Sequence, residues 1–115
     1  EYLDLYLIHW PTTKFVDQYK GLVELKKQGL VKHIGVSNFT KQHIQDLLDA
    51  GLPMPEANQL EFHPICAQAT MTPYMEENSI VPIAYSSLAT LSTWRQEEGQ
   101  GGDKTAHHKE ECQKV

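Results

Sequence analysis

Four short apolar runs in this chain each end on a polar side chain, at intervals that fit one strand plus one returning helix. His9 closes Tyr2-Leu3-Asp4-Leu5-Tyr6-Leu7-Ile8, and Ser37 and Asn38 close Val31-Lys32-His33-Ile34-Gly35-Val36. Gln59 sits in Glu56-Ala57-Asn58-Gln59-Leu60, and Tyr85 and Ser86 follow Ile80-Val81-Pro82-Ile83-Ala84. From His9 through Ser37 and Gln59 to Tyr85 the steps are 28, 22 and 26 residues. In parallel α/β architectures, functional side chains gather at the carboxyl ends of the strands. Four such ends in series predict one shared site.

The segments between the runs read as helices. Phe15, Val16, Tyr19, Leu22, Val23 and Leu25 fall near helical spacing between Lys14 and Gln28, and Gly29 suits the C-cap. Thr40 is placed to N-cap a helix that buries Ile44, Leu47 and Leu48, which Gly51, Pro53 and Pro55 then end. A third helix begins between Gln68 and Thr72, with Pro73 confined to its first turn. The first run, 2–9, holds one interior charge, Asp4, and reads as a strand buried on both faces. Strand–helix units in series imply parallel strands joined by right-handed crossovers. Two architectures satisfy that order: a segment of a (β/α)8 barrel and a small open doubly wound sheet.

A chain of 115 residues holds at most one small domain. With a net charge of -5 and no basic cluster, nothing marks it for a nucleic-acid backbone. Its longest apolar run is too short to cross a bilayer. Cys66 and Cys112 stand far apart with no CxxC pattern, which reads as two reduced thiols in the cytoplasm. The chain opens on Glu1, directly into a strand, and closes at Lys109 to Val115 in the manner of a helix just starting. It reads as an internal segment of a longer protein, with residues 93–115 a polar loop and a truncated helix.

Local motifs carry more than composition. Leu5-Tyr6-Leu7-Ile8-His9-Trp10-Pro11 resembles the strand motif that holds the active-site histidine of aldo-keto reductases. Gly29-Leu30-Val31-Lys32-His33-Ile34-Gly35-Val36-Ser37-Asn38-Phe39 resembles a second signature of that family. Asn58-Gln59-Leu60-Glu61-Phe62-His63-Pro64 and Ala84-Tyr85-Ser86-Ser87-Leu88 are similar to two more, in order and at matching spacing. The resemblance covers roughly residues 1–92. It implies a partial (β/α)8 TIM barrel, α/β in class, spanning the fourth to seventh strands with three intervening helices.

The resemblance also implies an activity: hydride transfer from NADPH, less often NADH, that reduces an aldehyde or ketone to an alcohol. His9 would orient and polarise the substrate carbonyl, and Trp10 would line the substrate pocket. Ser37, Asn38 and Gln59 would hold the nicotinamide carboxamide, Tyr85 would stack on its ring, and Ser86 and Leu88 would lie near the pyrophosphate. The family's proton-donating tyrosine, with its lysine and aspartate, has no counterpart in these residues, nor does its motif for the adenosine 2′-phosphate. The segment alone is therefore expected to be inactive. The competing reading is a truncated, non-catalytic binding or regulatory remnant of the same fold.

The residue chemistry is consistent with those roles. Ser, Asn and Gln offer both donors and acceptors to a primary carboxamide, and a neutral histidine can donate to a developing alkoxide. Each residue also has a plainer reading. His9 could be a strand-end histidine satisfied by backbone, Ser37 and Asn38 could cap a helix, and Tyr85 could be core. His63-Pro64 reads as shaping the turn after its strand. His107, His108 and Cys112 lack the spacing and fourth partner of a metal site. Four strands of an eight-stranded barrel would leave two open edges, so self-association is expected. No part of the sequence names the substrate among sugars, aliphatic aldehydes and ketones.

Overall fold

Helices and strands alternate along the chain in a computed structural model that describes residues 1–64 and 66–88. Strand β1 is Leu3–Ile8, helix α1 Phe15–Lys27, β2 Val31–Ser37, α2 Lys41–Asp49, β3 Ala57–Glu61, α3 Met71–Glu77 and β4 Val81–Tyr85. The expected loop and helix over 93–115, with His107, His108 and Cys112, lie outside the described residues.

The sheet runs in the order β1-β2-β3-β4, with every neighbouring pair parallel. That order decides between the two architectures left open by the sequence. A doubly wound sheet reverses its strand order at a switch point, which sends later helices to the opposite face. Here the order never reverses, so right-handed crossovers place all three helices on one face. The sheet is one wall of a barrel.

Local chemistry sets the helix ends. Thr40 Oγ1 accepts from the His43 N–H at 3.3 Å, and His43 Nδ1 accepts from the Thr40 N–H at 3.1 Å, a reciprocal capping box. Gln28 caps the C-terminus of α1, and Gly29 follows at φ 75°, a left-handed turn a side chain would resist. Pro73 is the third residue of α3, where its missing N–H costs no helical bond.

Between sheet and helices lies the core. Tyr19, Leu22, Ile34, Val36, Ile44, Leu47, Leu60 and Met75 are all buried there. Ile44 and Leu47 are fully buried, each contributing roughly 1.5–3 kcal/mol through loss of apolar contact with water. The other face carries the alternate residues: Leu3, Leu5 and Leu7, then Gly35 and Ser37, Ala57 and Gln59, and Val81, Ile83 and Tyr85. Gly35 is required by close approach. A Cβ there would lie 2.5 Å from the Ala57 carbonyl oxygen and 2.8 Å from Leu7 Cδ2.

Two expectations fail. β1 is not buried on both faces: as the sheet's first strand it leaves Leu3 at 54% and Leu5 at 40% exposure. No described element lies over that edge or over the inner face. Nor is Cys66 a reduced thiol, since it is disulfide-bonded, while Cys112 lies outside the described residues.

Candidate active site

At the carboxyl end of β2 the chain turns sharply, and that turn organises the site. Asn38 adopts φ 61°, a left-handed conformation that asparagine tolerates better than most residues. The turn aims its side chain back across the strand ends. Asn38 Nδ2 donates to the His9 carbonyl and to Ser37 Oγ, both at 3.1 Å. Its Oδ1 accepts from the Tyr85 phenol at 2.7 Å. Ser37 Oγ donates to the Gln59 carbonyl at 2.9 Å, and the Asn38 N–H donates to that same oxygen at 2.9 Å. One side chain thus ties the ends of β1, β2 and β4, and its backbone adds β3.

Counting donors and acceptors shows what remains for a ligand. Both Asn38 amide hydrogens are spent, leaving one acceptor lone pair on Oδ1. Ser37 Oγ gives its hydrogen to Gln59 and takes one from Asn38, so it too keeps a single acceptor position. The Gln59 side chain is half-buried and makes no hydrogen bond to a described residue, which leaves its amide hydrogens available. Beside them the Tyr85 ring is half-buried, held by its hydroxyl. Two acceptors, one amide donor and an aromatic face fit a primary carboxamide on a flat ring.

His9 and Trp10 stand at the open side of this cluster. Both are exposed, with ring centroids 5.9 Å apart and planes tilted by 46°. His9 is joined to the network through its backbone oxygen, and the residue is exposed. Ser86 continues from Tyr85 at φ 52°, and Leu88 is 75% exposed. Neither belongs to the Asn38 network.

Supporting residues are also visible here, Asn58 and Glu61 without an assigned role in the motif reading and His63 in the turn expected of it. Asn58 points to the helix side, fully buried, and its Nδ2 donates to the Phe39 carbonyl at 3.0 Å, which holds the loop leading into α2. Glu61 Oε1 lies 3.1 Å from His63 Nε2, with both side chains almost wholly buried. The backbone of His63 bridges to Cys66, so this residue shapes the turn after β3. A polar residue inside an apolar strand, as at Asn58, was the available signal. Among the described residues no group of His, Cys, Asp and Glu could hold a metal ion.

The opposite, amino-terminal end of the sheet carries the structural electrostatics. Glu56 precedes β3 and accepts from Lys26, from His33 Nδ1 at 2.7 Å and from the Ile34 N–H at 3.0 Å. Burial alone would raise its carboxyl, but these hydrogen bonds outweigh burial and hold it down to about 2. Burial, with the Glu56 charge second, pushes the Tyr19 phenol well above its ordinary value. In barrels the amino-terminal face serves stability and the carboxyl face serves chemistry.

Comparison with known proteins agrees with this fold. Residues 1–114 match the model of the Aldo/keto reductase family. An aldo-keto reductase of Mycolicibacterium vanbaalenii is 45% identical over 95 residues, 80% of this chain and 34% of that protein. Methylglyoxal reductase DkgA of Salmonella typhimurium is 42% identical over 92 residues, 77% of this chain and 34% of that protein. A mutant of Gox0644 in complex with NADPH superposes with a TM-score of 0.73 at 42% identity, covering 77% of this chain and 34% of that one. The Bombyx mori aldo-keto reductase in complex with NADP gives 0.73 at 29% identity, covering 85% and 35%. The chain spans about a third of the length of the curated relatives it matches.

Proposed function

This chain belongs to the aldo/keto reductase family, and from that premise we propose that it is one part of an NAD(P)H-dependent enzyme that reduces aldehyde or ketone carbonyls. The observation that carries the reading is the Asn38 network, which leaves acceptors at Ser37 and Asn38 and a free amide donor at Gln59 around the Tyr85 ring. When bound, NADPH supplies the hydride. Ser37 Oγ and Asn38 Oδ1 accept from the carboxamide nitrogen, Gln59 donates to the carboxamide oxygen, and Tyr85 shelves the ring. Fixing ring and amide together fixes which face meets the substrate.

His9 donates a hydrogen bond to the substrate carbonyl and stabilises charge as it builds on oxygen. Trp10 forms the apolar wall beside it. Ser86 and Leu88 lie on the path toward the cofactor's pyrophosphate. The proton delivered to the product alkoxide comes from a residue outside this chain, so the 115 residues alone do not turn over. The methylglyoxal reductases among the relatives point to small carbonyl compounds as the substrate class. A cytosolic location belongs to this reading, because such a reductase draws NADPH from the cell interior.

A titration of the 115-residue chain with NADPH tests the binding half of the proposal. Quenching of Trp10 fluorescence, in a Trp94→Phe background, is expected to saturate and to be lost in Tyr85→Ala and Gln59→Ala. Quenching that does not saturate, or that ignores both substitutions, would remove the support for this site.

A further inference from the structure

We propose that His43 is a positioning residue for the Asn38 turn, and that it holds this turn only while its imidazole is uncharged. The consequence for cofactor binding rests on the role proposed for Asn38. Only Asn38, Phe39 and Thr40 lie between the last residue of β2 and the first of α2. Asn38 stands at φ 61°, a conformation that persists only where the structure on both sides fixes it. On the strand side its N–H is held by the Gln59 carbonyl at 2.9 Å. On the helix side the hold is the box between Thr40 and His43.

The usual partner at the third helical position of such a box is Glu or Gln, which accepts without titrating near neutral pH. His43 accepts through a ring nitrogen instead. The Thr40 N–H donates to His43 Nδ1 at 3.1 Å, and Thr40 Oγ1 lies 3.1 Å from the same nitrogen. Accepting from an amide requires a bare Nδ1, which assigns the neutral ring its hydrogen at Nε2. A proton added at Nδ1 can be donated to Thr40 Oγ1, so that contact survives. The Thr40 N–H then faces a donor and loses its partner, and the first turn of a helix offers no carbonyl to replace it.

The same ring braces the turn by packing. His43 meets Phe39 with centroids 5.5 Å apart and Phe15 at 5.4 Å, and the two phenyl rings meet edge-on at 5.3 Å. Phe39 is fully buried, and its carbonyl accepts from Asn58 Nδ2 at 3.0 Å. Because Phe39 follows Asn38 directly, a shift of His43 reaches the turn through one buried side chain.

The surrounding charges do not favour an imidazolium. The first turn of α2 carries no acidic residue, and the positive end of the helix dipole opposes a second positive charge. Among the described residues, Lys14 and Asp17 flank Phe15, and Lys41 and Asp46 flank His43 on α2. Asp17 pairs with Lys20 at 3.1 Å, Asp46 accepts from Gln42 at 2.8 Å, and Lys41 lies over the Tyr74 ring at 5.5 Å. The box needs the neutral ring, so its contribution is present on the alkaline side of the imidazole's titration and lost on the acid side.

The test uses a full-length family member carrying this segment, with NADPH affinity measured at about pH 7.5 and about pH 5.5, on either side of an ordinary imidazole's titration. His43→Gln keeps a side-chain acceptor that does not titrate, and His43→Ala removes the acceptor. Relative to His43→Gln, the parent's affinity is expected to fall about five- to tenfold between the two pH values, the worth of one helix cap. Titration of the cofactor and of the other histidines is common to both proteins and cancels in that ratio. His43→Ala is expected to bind weakly at both. Hydrogen exchange over residues 38–44 in the cofactor-free protein, corrected for the intrinsic rate, is expected to quicken in acid in the parent and not in His43→Gln. The same acid response of exchange in the parent and His43→Gln overturns the proposal, as does a His43→Ala variant that exchanges and binds like the parent. Exchange that follows His43 while NADPH affinity does not upholds the positioning role and removes the role of Asn38 in cofactor binding.

Discussion

The Tyr85 phenol donates to Asn38 Oδ1 at 2.7 Å, joining two residues 47 positions apart. This bond spans the sheet from the end of β4 to the turn after β2 and holds the ring proposed to meet the nicotinamide. Tyr85→Phe keeps the ring and removes the tether. The expected result is a stability loss of about 1 kcal/mol in urea unfolding, together with weaker NADPH binding. Tyr85→Ala should abolish binding. Equal affinity in Tyr85→Phe and the parent chain would show that the ring needs no anchor.

Gly35 stands where β2 comes closest to β3. An added methyl meets the Ala57 oxygen at 2.5 Å, and backbone cannot rotate away as a side chain can. Gly35→Ala is expected to destabilise by roughly 1–3 kcal/mol. The strain falls between Ser37 and Gln59, so cofactor affinity should drop along with stability. A melt unchanged from the parent would refute the close packing of these strands.

Glu56 gives stability a dependence on acid pH. Its carboxyl is held at about 2, below its ordinary 4.5, so the unfolded chain binds the proton more readily. Its contribution is therefore fully present above pH 4.5 and is lost as pH falls from there toward 2. The side chain is 35% exposed, so solvent screening limits this contribution to about 1 kcal/mol or less. Glu56→Gln should lower stability at neutral pH and flatten this part of the profile. Parallel profiles for variant and parent between pH 5 and pH 2 would sink the assignment.

Turnover separates the family's chemistry from this chain's share of it. The purified 115 residues should oxidise no NADPH with an aldehyde, because the proposed role of His9 is to polarise a carbonyl and no described residue beside it is assigned to deliver the proton. In a full-length family member carrying this segment, replacing the residue equivalent to His9 should lower kcat/KM by about 10²–10³ if it acts as an oxyanion donor. Steady turnover by the short chain would contradict this division of labour.

Much of this was legible in the residues themselves. Thr40 announced its helix through side-chain chemistry that acts over three positions, and the capping box is formed. The apolar runs ending at His9, Ser37 and Tyr85 fixed where β1, β2 and β4 stop, because alternation and turn chemistry are local, whereas β3 runs two residues past Gln59 to Glu61. The order of strands in the sheet was not local. Helical spacing describes how α1 buries its own face, but not which side of a sheet that face meets. Glu56 looked like an ordinary charged residue before a strand, and only folding brings Lys26, His33 and the Ile34 amide around it. Asn38 was a binding candidate by motif, yet its two spent hydrogens depend on His9 and Ser37 being brought beside it.

The sequence by itself determined the parallel α/β class, the helix ends and the identity of the strand-end polar residues, since each rests on spacing and near-neighbour chemistry. Tertiary structure decided that those ends share one network, that the Gln59 side-chain amide stays outside it, and that Leu3 and Val81, on the face away from the helices, are exposed among the described residues. Hydrogen bonds between distant strands and the exposure of an edge depend on what lies alongside in space, and spacing along a chain does not encode that.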